Sequence, residues 1–456
     1  MRRFLLSILL LAAATPSFAQ STGWVVTTDY STFGRIREFD TDSPWSVSAD
    51  LATIPGDAVA RWHDGLVYVV GRGAASQLQV YDPGAGFALL HEFSLGAGRN
   101  PQDIAFDAQG EAYVSCYDQA VLLKVDVAGE SVTATYSTAA YADADGLPET
   151  AWLAMAGDKL LVTCQLLDRG NWYAPTGPGK LLVFDTAADT FAAPIALTGA
   201  NPYTQIDRDP HAGTLYVGCA GDYGALDGGI EIIDPVAGAS LGFAVTEAEL
   251  GGDVTGLAWS GGGVLHVLIS DALYITSLCR YDSGTGQVTV LDTGSGYVHA
   301  DVAWNGGSQL YLADRTPAAS GLRVFDIASG SELTAGAIDT GLPPFMIALA
   351  WPGGVTPVPP VAAIGGLTMS APWPNPANPL VNVALEGVPD ALAALRVIDL
   401  RGRRVWSGAV TLDHEGRADW RFDGRDTQGR PVSAGVYRLV AQTRTGFVTR
   451  RFTVVK

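Results

Sequence analysis

Seven times between residues 36 and 326 the chain repeats one phrase, an alternating apolar strand that closes on aspartate before a turn. The copies are REFD at Asp40, QVYD at Asp82, LKVD at Asp126, LVFD at Asp185, EIID at Asp234, CRYD at Asp282 and RVFD at Asp326. Successive aspartates stand 42, 44, 59, 49, 48 and 44 residues apart. A unit of about 40–50 residues holding several short strands is the mark of a β-propeller blade. An Asp that opens a β-turn accepts backbone N–H groups two residues on, so the seven aspartates read as structural rather than catalytic.

Each unit reads as four strands. The innermost is NPQDIAF, ETAWLAM, NPYTQID, DVTGLAW or HADVAW, with GDAVARW as a weaker copy. The second is the series LVYVV, EAYVSC, LLVTC, TLYVGC, VLHVLI and LYLAD. The third carries the aspartate, and the fourth is an alternating run such as SVTATYS. The chain enters at GWVVTTDY, which matches a second strand with no first strand before it. It leaves the repeats at FMIALAW, residues 345–351, a first strand with no unit to follow. Joining the two completes a seventh blade and removes both open edges. No amphipathic helix is legible anywhere.

Residues 1–19 read as a secretory signal, with Arg2 and Arg3, a short apolar run and a small-x-small site ending at Ala19. Cleavage before Gln20 is expected, and no cysteine follows to carry a lipid. The propeller is expected over 20–355, with TPVPPVAAIGG opening a Pro/Gly linker over 356–367. Residues 368–456 read as about seven short strands, the pattern of a small Ig-like β-sandwich. The expected fold is all-β throughout, a seven-bladed β-propeller followed by that sandwich.

Charge divides the same way. From residue 368 onward there are 13 basic and 8 acidic residues, whereas residues 20–367 hold 13 basic against 39 acidic. A field so negative repels nucleic acid and anionic membranes, and admits cations or neutral ligands. Cys116, Cys164 and Cys219 end equivalent strands in three successive units, too far apart for disulfides, and Cys279 stands alone. All four read as small core residues. No G-x-S-x-G, zinc-spaced His/Cys cluster or phosphate-binding loop is present.

In a propeller the fourth-to-first and second-to-third connections share one face. Here that face carries the irregular loops Tyr141–Thr150, Gln165–Gly179 and Ala220–Gly229, where binding residues are expected. Asp143, Asp145, Glu149, Asp168 and Asp222 are the candidate ligands for a hard cation such as calcium. Arg169, Trp172, Tyr173 and Tyr223 have the composition of a recognition patch. Aligning the first strands places Asp57, Asn100, Asp103, Glu149, Asn201, Asp253, His299 and Asp301 around the channel mouth. Of these, His299 and Asp301 are further candidates for ligand binding. His299 is the one histidine of that ring, with His63 and His211 expected at the far end.

Family resemblance adds to this. PWPNPANP, VIDLRGRRV, WRFDGRDTQGRPVSAGVYRL and the closing RRFTVVK resemble the C-terminal Ig-like domain of flagellar hook-capping proteins and the type IX secretion sorting domains of Gram-negative bacteria. That likeness implies an export or surface-attachment role through the secretion machinery. TLYVGCAG and AFDAQGEAYVSC resemble the YVTN/YncE-like seven-bladed proteins of bacterial envelopes, although the YVTN tetrapeptide itself is absent. The combined expectation is an exported protein, extracellular, surface-held or periplasmic. It would bind a protein, glycan or small molecule on its loop-rich face without catalysis. The alternatives are a lactonase- or lyase-like enzyme using a cation at the channel mouth, and a structural envelope component.

Overall fold

The computed structural model describes residues 22–209, 213–350, 367–387, 391–399, 404–414, 416–443 and 446–455. The expected signal peptide, nearly all of the linker, His211 and Trp351 lie outside the described residues. Among those described, seven antiparallel sheets make a ring. Inner strands of successive blades touch around it, except from blade four to five, where the outer strands meet. From the inner strand outward, blade two is Ala58–His63, Leu66–Gly71, Gln77–Asp82 and Ala88–Ser94. Blade three is Pro101–Phe106, Ala112–Cys116, Val121–Asp126 and Ser131–Ser137. Blade six is Asp253–Trp259, Val264–Ser270, Thr276–Asp282 and Gln287–Thr293. Blade seven is His299–Trp304, Gln309–Asp314, Gly321–Asp326 and Ile338–Asp339.

Blade one closes the ring with both ends of the repeat region. Pro344–Leu349 pairs antiparallel with Thr22–Thr28, which pairs with Phe33–Asp40 and so to Ala52–Pro55. The approach there is close. A Cβ on Gly23 would lie 2.3 Å from Phe39 Cζ and 2.9 Å from Leu349 Cδ2. Apolar clusters fill the seams between blades, because both faces of a blade are covered by neighbours. Phe39, Tyr311, Leu322, Val324 and Ile347 fill the seam from blade seven to blade one. Ala258, Leu268, Leu278, Val302, Leu312 and Phe325 fill that from six to seven. All four cysteines are buried thiols in such seams.

All seven repeat aspartates end third strands. Six close the following turn as expected. Asp82, for example, accepts the N–H groups of Gly84 and Ala85, and Asp282 those of Gly284 and Thr285. Asp126, Asp185, Asp234 and Asp326 do the same.

Blades four and five depart from the four-strand expectation. In blade four, Thr150–Ala156, Lys159–Cys164 and Pro178–Asp185 are regular. Its outer strand is split into Thr190–Phe191 and Ile195–Ala200 by Pro194, which cannot donate to the ladder. In blade five the run NPYTQID forms a strand only at Asp207–Arg208, ahead of Leu215–Cys219, Gly229–Asp234 and Ala239–Thr246. Asn201 takes a positive φ of 51° and Pro202 makes only an isolated bridge, so the backbone loops before it pairs. The expectation of no helix also needs correcting. Glu247–Leu250 is one α-helical turn, with Thr246 and Glu249 as a capping box.

After the linker, Thr368–Met369, Val381–Glu386 and Arg417–Phe422 form one sheet. Leu392–Asp399, Arg404–Thr411, Gly435–Thr443 and Gly446–Val454 form a second. Val381, Val383 and Phe422 from one sheet share a core with Leu395, Val397, Leu439 and Phe452 from the other, a β-sandwich. No helix among the described residues is long and apolar enough to cross a membrane, a statement that leaves β-barrels aside.

Candidate binding site at the channel mouth

A β-bulge in the inner strands shapes the centre of the ring. Pairing skips between Pro101 and Ile104, between Thr150 and Leu153, between Val254 and Gly256, and between His299 and Asp301. In blade one it skips Phe345. The residues left over are Gln102 and Asp103, Ala151 and Trp152, Thr255, Ala300 and Phe345. A bulge re-aims side chains that strict alternation would send elsewhere. Of these seven residues, all but Asp103 line one cavity of about 330 Å3 at the loop-rich end of the channel. Blade five adds Tyr203, Thr204 and Gln205 from its irregular segment, and second-to-third loops add Arg72, Tyr117, Gln165 and Arg315. Every blade therefore contributes to the wall.

The lining is aromatic and polar together: Tyr117, Trp152, Tyr203, Tyr297 and Phe345 among amides, hydroxyls and guanidinium groups. Trp152 is fixed by its indole N–H, which donates to the Tyr203 carbonyl at 2.7 Å. Below it Arg61 crosses the channel from blade two. Its guanidinium forks onto Asp103 at 2.7 and 2.9 Å, reaches Gln205 Oε1, and lies 5.5 Å from the Trp152 ring centre.

Most of the rim residues identified by alignment are spent on structure. Asp103, Asp207 and Asp301 each accept the backbone N–H of the next blade's inner strand, at Leu153, Trp259 and Ile347. Asp207 was not among the expected rim residues, because the irregular start of its strand hides the register. Asp57 pairs with Arg72, Asn100 accepts from Gly73 N, and Asp253 accepts from Gly224 N. Asn201 turns its amide toward the Gly221 carbonyl. Asp301 alone of the aligned rim set also faces the cavity, and burial pushes its carboxyl up to about 7.

His299 does not line the cavity. It is fully buried at the start of its strand, with Nε2 3.0 Å from Asp292 Oδ2. Burial works to raise the Asp292 pKa, yet His299 and Arg323 hold it well below the usual carboxylate range.

The candidate cation ligands lie on loops at the same end of the ring but are tied separately. Asp143 accepts from Thr176 Oγ1, Asp145 from Leu147 N and Asp168 from Gly170 N. Asp222 donates its own N–H to Asp227. Glu149 is buried, takes the N–H of Leu167, and pairs with Arg169 at 2.9 Å. Arg169 also pairs with Asp118 at 2.7 Å and approaches Asp145 at 3.9 Å, so a guanidinium already sits among these carboxylates. No group of three or more His, Cys, Asp or Glu side chains poised for a metal occurs among the described residues.

Arg169 also lies over the Tyr117 ring at the cavity edge. Trp172 and Tyr173, 95% and 53% exposed, stand on the same loop outside the cavity. Tyr223 stacks on Tyr274 with ring centres 5.5 Å apart, also outside the lining. His63 is at the opposite end of the channel, stacked on Phe106 at 4.0 Å. A larger space of about 480 Å3 lies between blades four and five and the sandwich, and its walls lack the aromatic ring of the channel mouth.

No protein-family model and no curated protein matches the sequence. Solved structures similar to this chain include PorZ, a surface component of the type IX secretion system of Porphyromonas gingivalis. It is 15% identical over 93% of this chain and 64% of its own length, with a TM-score of 0.45. A functionally unknown protein of Desulfotomaculum acetoxidans is 16% identical over 72% of this chain and 98% of its own, with a TM-score of 0.47. Hydrazine synthase of Kuenenia stuttgartiensis is 14% identical over 70% and 99%, with a TM-score of 0.46. The chain thus spans a little under two thirds of the length of PorZ.

Proposed function

We propose that this protein is an exported binding propeller of the YVTN/YncE-like kind, which holds its ligand in the channel mouth on the loop-rich face. The observation that carries this reading is the cavity ringed by all seven blades, whose bulged inner strands turn aromatic and amide side chains inward. Its volume is at the lower end of the roughly 300–1,000 Å3 range of small-ligand sites, and its mixture of ring faces and hydrogen-bonding groups suits such sites. The ligand is a small molecule, or one unit of a larger glycan or protein.

The test is an array of immobilised glycans and peptides probed with the full chain and with Trp152→Ala. The expected result is that signals given by the parent fall at least about tenfold in the variant, as for a central anchor residue. Signals that survive it would move the site to the exposed loop of Trp172 and Tyr173.

The sandwich is proposed as an Ig-like sorting or surface-attachment module. Deleting residues 368–456 is expected to leave a folded propeller retained in the periplasm. Normal surface display of the truncated chain would leave an accessory domain instead.

A second reading, a lyase- or lactonase-like enzyme, is favoured by Asp301, a cavity-lining carboxyl poised near neutrality. That reading requires turnover of a lactone or lyase substrate that Asp301→Asn abolishes.

A further inference from the structure

Several arginines of the propeller are matched by acids, and one in the cavity wall is not. Arg61 is held by Asp103, Arg72 by Asp57, and Arg169 by Glu149 and Asp118. Arg323 takes Asp292, Asp314 and Glu332 together. Asp301, the carboxyl that shares the cavity lining with Arg315, accepts the Ile347 N–H, and Arg323 takes one oxygen of Asp314. Asp314, the residue just before Arg315, spends its other oxygen on the N–H and hydroxyl of Thr316.

Arg315 is half-buried in the cavity wall and pairs with no carboxylate among the described residues. Its guanidinium lies 5.6 Å from the ring centre of Tyr297 and 6.0 Å from that of Tyr30. Its Nε is buried and finds no hydrogen-bond partner within the described chain. Thr255 Oγ1, from the next wall of the same cavity, is in the same condition. Both atoms belong to residues that line the cavity, where an incoming group can supply the missing partner.

Resting on the reading of the mouth as a binding site, we infer that its ligand carries a carboxylate on a ring. The carboxylate pairs with Arg315, and the ring lies among the aromatic side chains of Tyr297, Tyr203 and Trp152. Arginine suits this task because its fork meets a carboxylate at two points while its plane stacks on tyrosine. In a body as acidic as this one, a lone guanidinium also selects for the anion locally, against the long-range field. Two sources share this chemistry, a uronic acid sugar and an aromatic carboxylate. The amides of Gln102, Gln165 and Gln205 would serve the hydroxyls of the first, and the ring faces alone would serve the second.

The experiment is ligand-observed NMR and calorimetry on the full chain with matched pairs of probes: glucuronate against glucose, and benzoate against benzyl alcohol. We expect the acid of one pair to bind at least about tenfold tighter than its neutral partner, the scale of a charge-assisted pair. Arg315→Gln should erase that preference, Arg315→Lys should restore part of it, and all three proteins should share one melting temperature. Which acid binds identifies the source.

If glucose or benzyl alcohol binds as well as its acid, and does so through Trp152, the charge assignment fails while the mouth remains the site. If an acid binds equally to parent and Arg315→Gln, the proposal fails as well. If no probe binds, the ring-carboxylate class is excluded, and the glycan and peptide array decides separately whether the mouth binds anything.

Discussion

Arg61 and Asp103 pair between blades two and three at the channel. Asp103 is fully buried and receives three kinds of donor: the guanidinium, the Leu153 N–H of the next blade, and its neighbour Ile104 N–H. Arg61 keeps about a quarter of its side chain exposed to the channel and bridges from blade two to Gln205 in blade five. Removing one partner of a buried ion pair strands the other, at a cost of about 3–5 kcal/mol. Arg61→Met is therefore expected to lower the unfolding free energy by about 3 kcal/mol, since backbone donors to Asp103 survive. Adding Asp103→Asn to it should recover part of the loss. Urea titrations of the three proteins measure this, and a single-variant loss below about 0.5 kcal/mol would show that the pair is dispensable.

At the level of strands, closure of the ring depends on Pro344–Leu349. Met346, Ile347 and Ala348 are buried in it, and its pairing satisfies the backbone of Thr22–Thr28. Full burial of a large apolar side chain contributes about 1.5–3 kcal/mol. Deleting Pro344–Leu349 is expected to remove several kcal/mol and leave an open edge on blade one. Calorimetry should then show a broad transition at least about 10 °C lower. A transition as sharp and as high as the parent's would mean that the ring closes elsewhere. This joining was legible in the sequence because a second strand without a first, and a first without a second, leave one solution.

The third strands were legible because Asp at a turn leaves a fixed phrase. The bulges were not, since one extra residue shifts alternation without altering composition. Aligning NPQD with HAD therefore marked Asp103 and His299 along with Asp301, whereas the cavity is faced by Gln102, Ala300 and, of the marked residues, only Asp301. The helical turn at Glu247 did leave a signal, the T-x-x-E of Thr246 to Glu249, but four residues are too few to show an amphipathic period. Arg315 could not be singled out, because its lack of an acid partner and its place in the cavity wall appear only in the fold.

The whole propeller carries an excess of acids, and several are buried where they resist ionisation. Burial pushes Glu247 up to about 8 and Asp301 up to about 7. Burial also raises Asp207 and Glu149 to about 6, against the hydrogen bonds that each accepts. In an unfolded chain such groups titrate near 4. The folded state thus binds more protons than the unfolded state between about pH 4 and 8. Stability from these groups is fully present below about pH 4 and is lost progressively as pH rises from there through the folded values of about 6 to 8. Asp292 acts in the opposite sense. Its lowered pKa contributes stability above about pH 4 that disappears on further acidification.

The melting temperature is therefore expected to rise as pH falls from about 8.5 to 5, and to drop below about 4. Asp301→Asn isolates one component, because the amide oxygen can still accept the Ile347 N–H while the group no longer ionises. At pH 8.5 the variant should melt higher than the parent by a few degrees, on the order of 1–4 kcal/mol for a shift of this size. At pH 4 the two should differ little, because neither the folded nor the unfolded carboxyl is then largely ionised. If Asp301→Asn melts lower than the parent at pH 8.5, the carboxylate is ionised at little cost in the fold. The Asp301 carboxyl would then be unavailable both as a pH-sensitive seam between blades seven and one and as a general acid at the channel mouth.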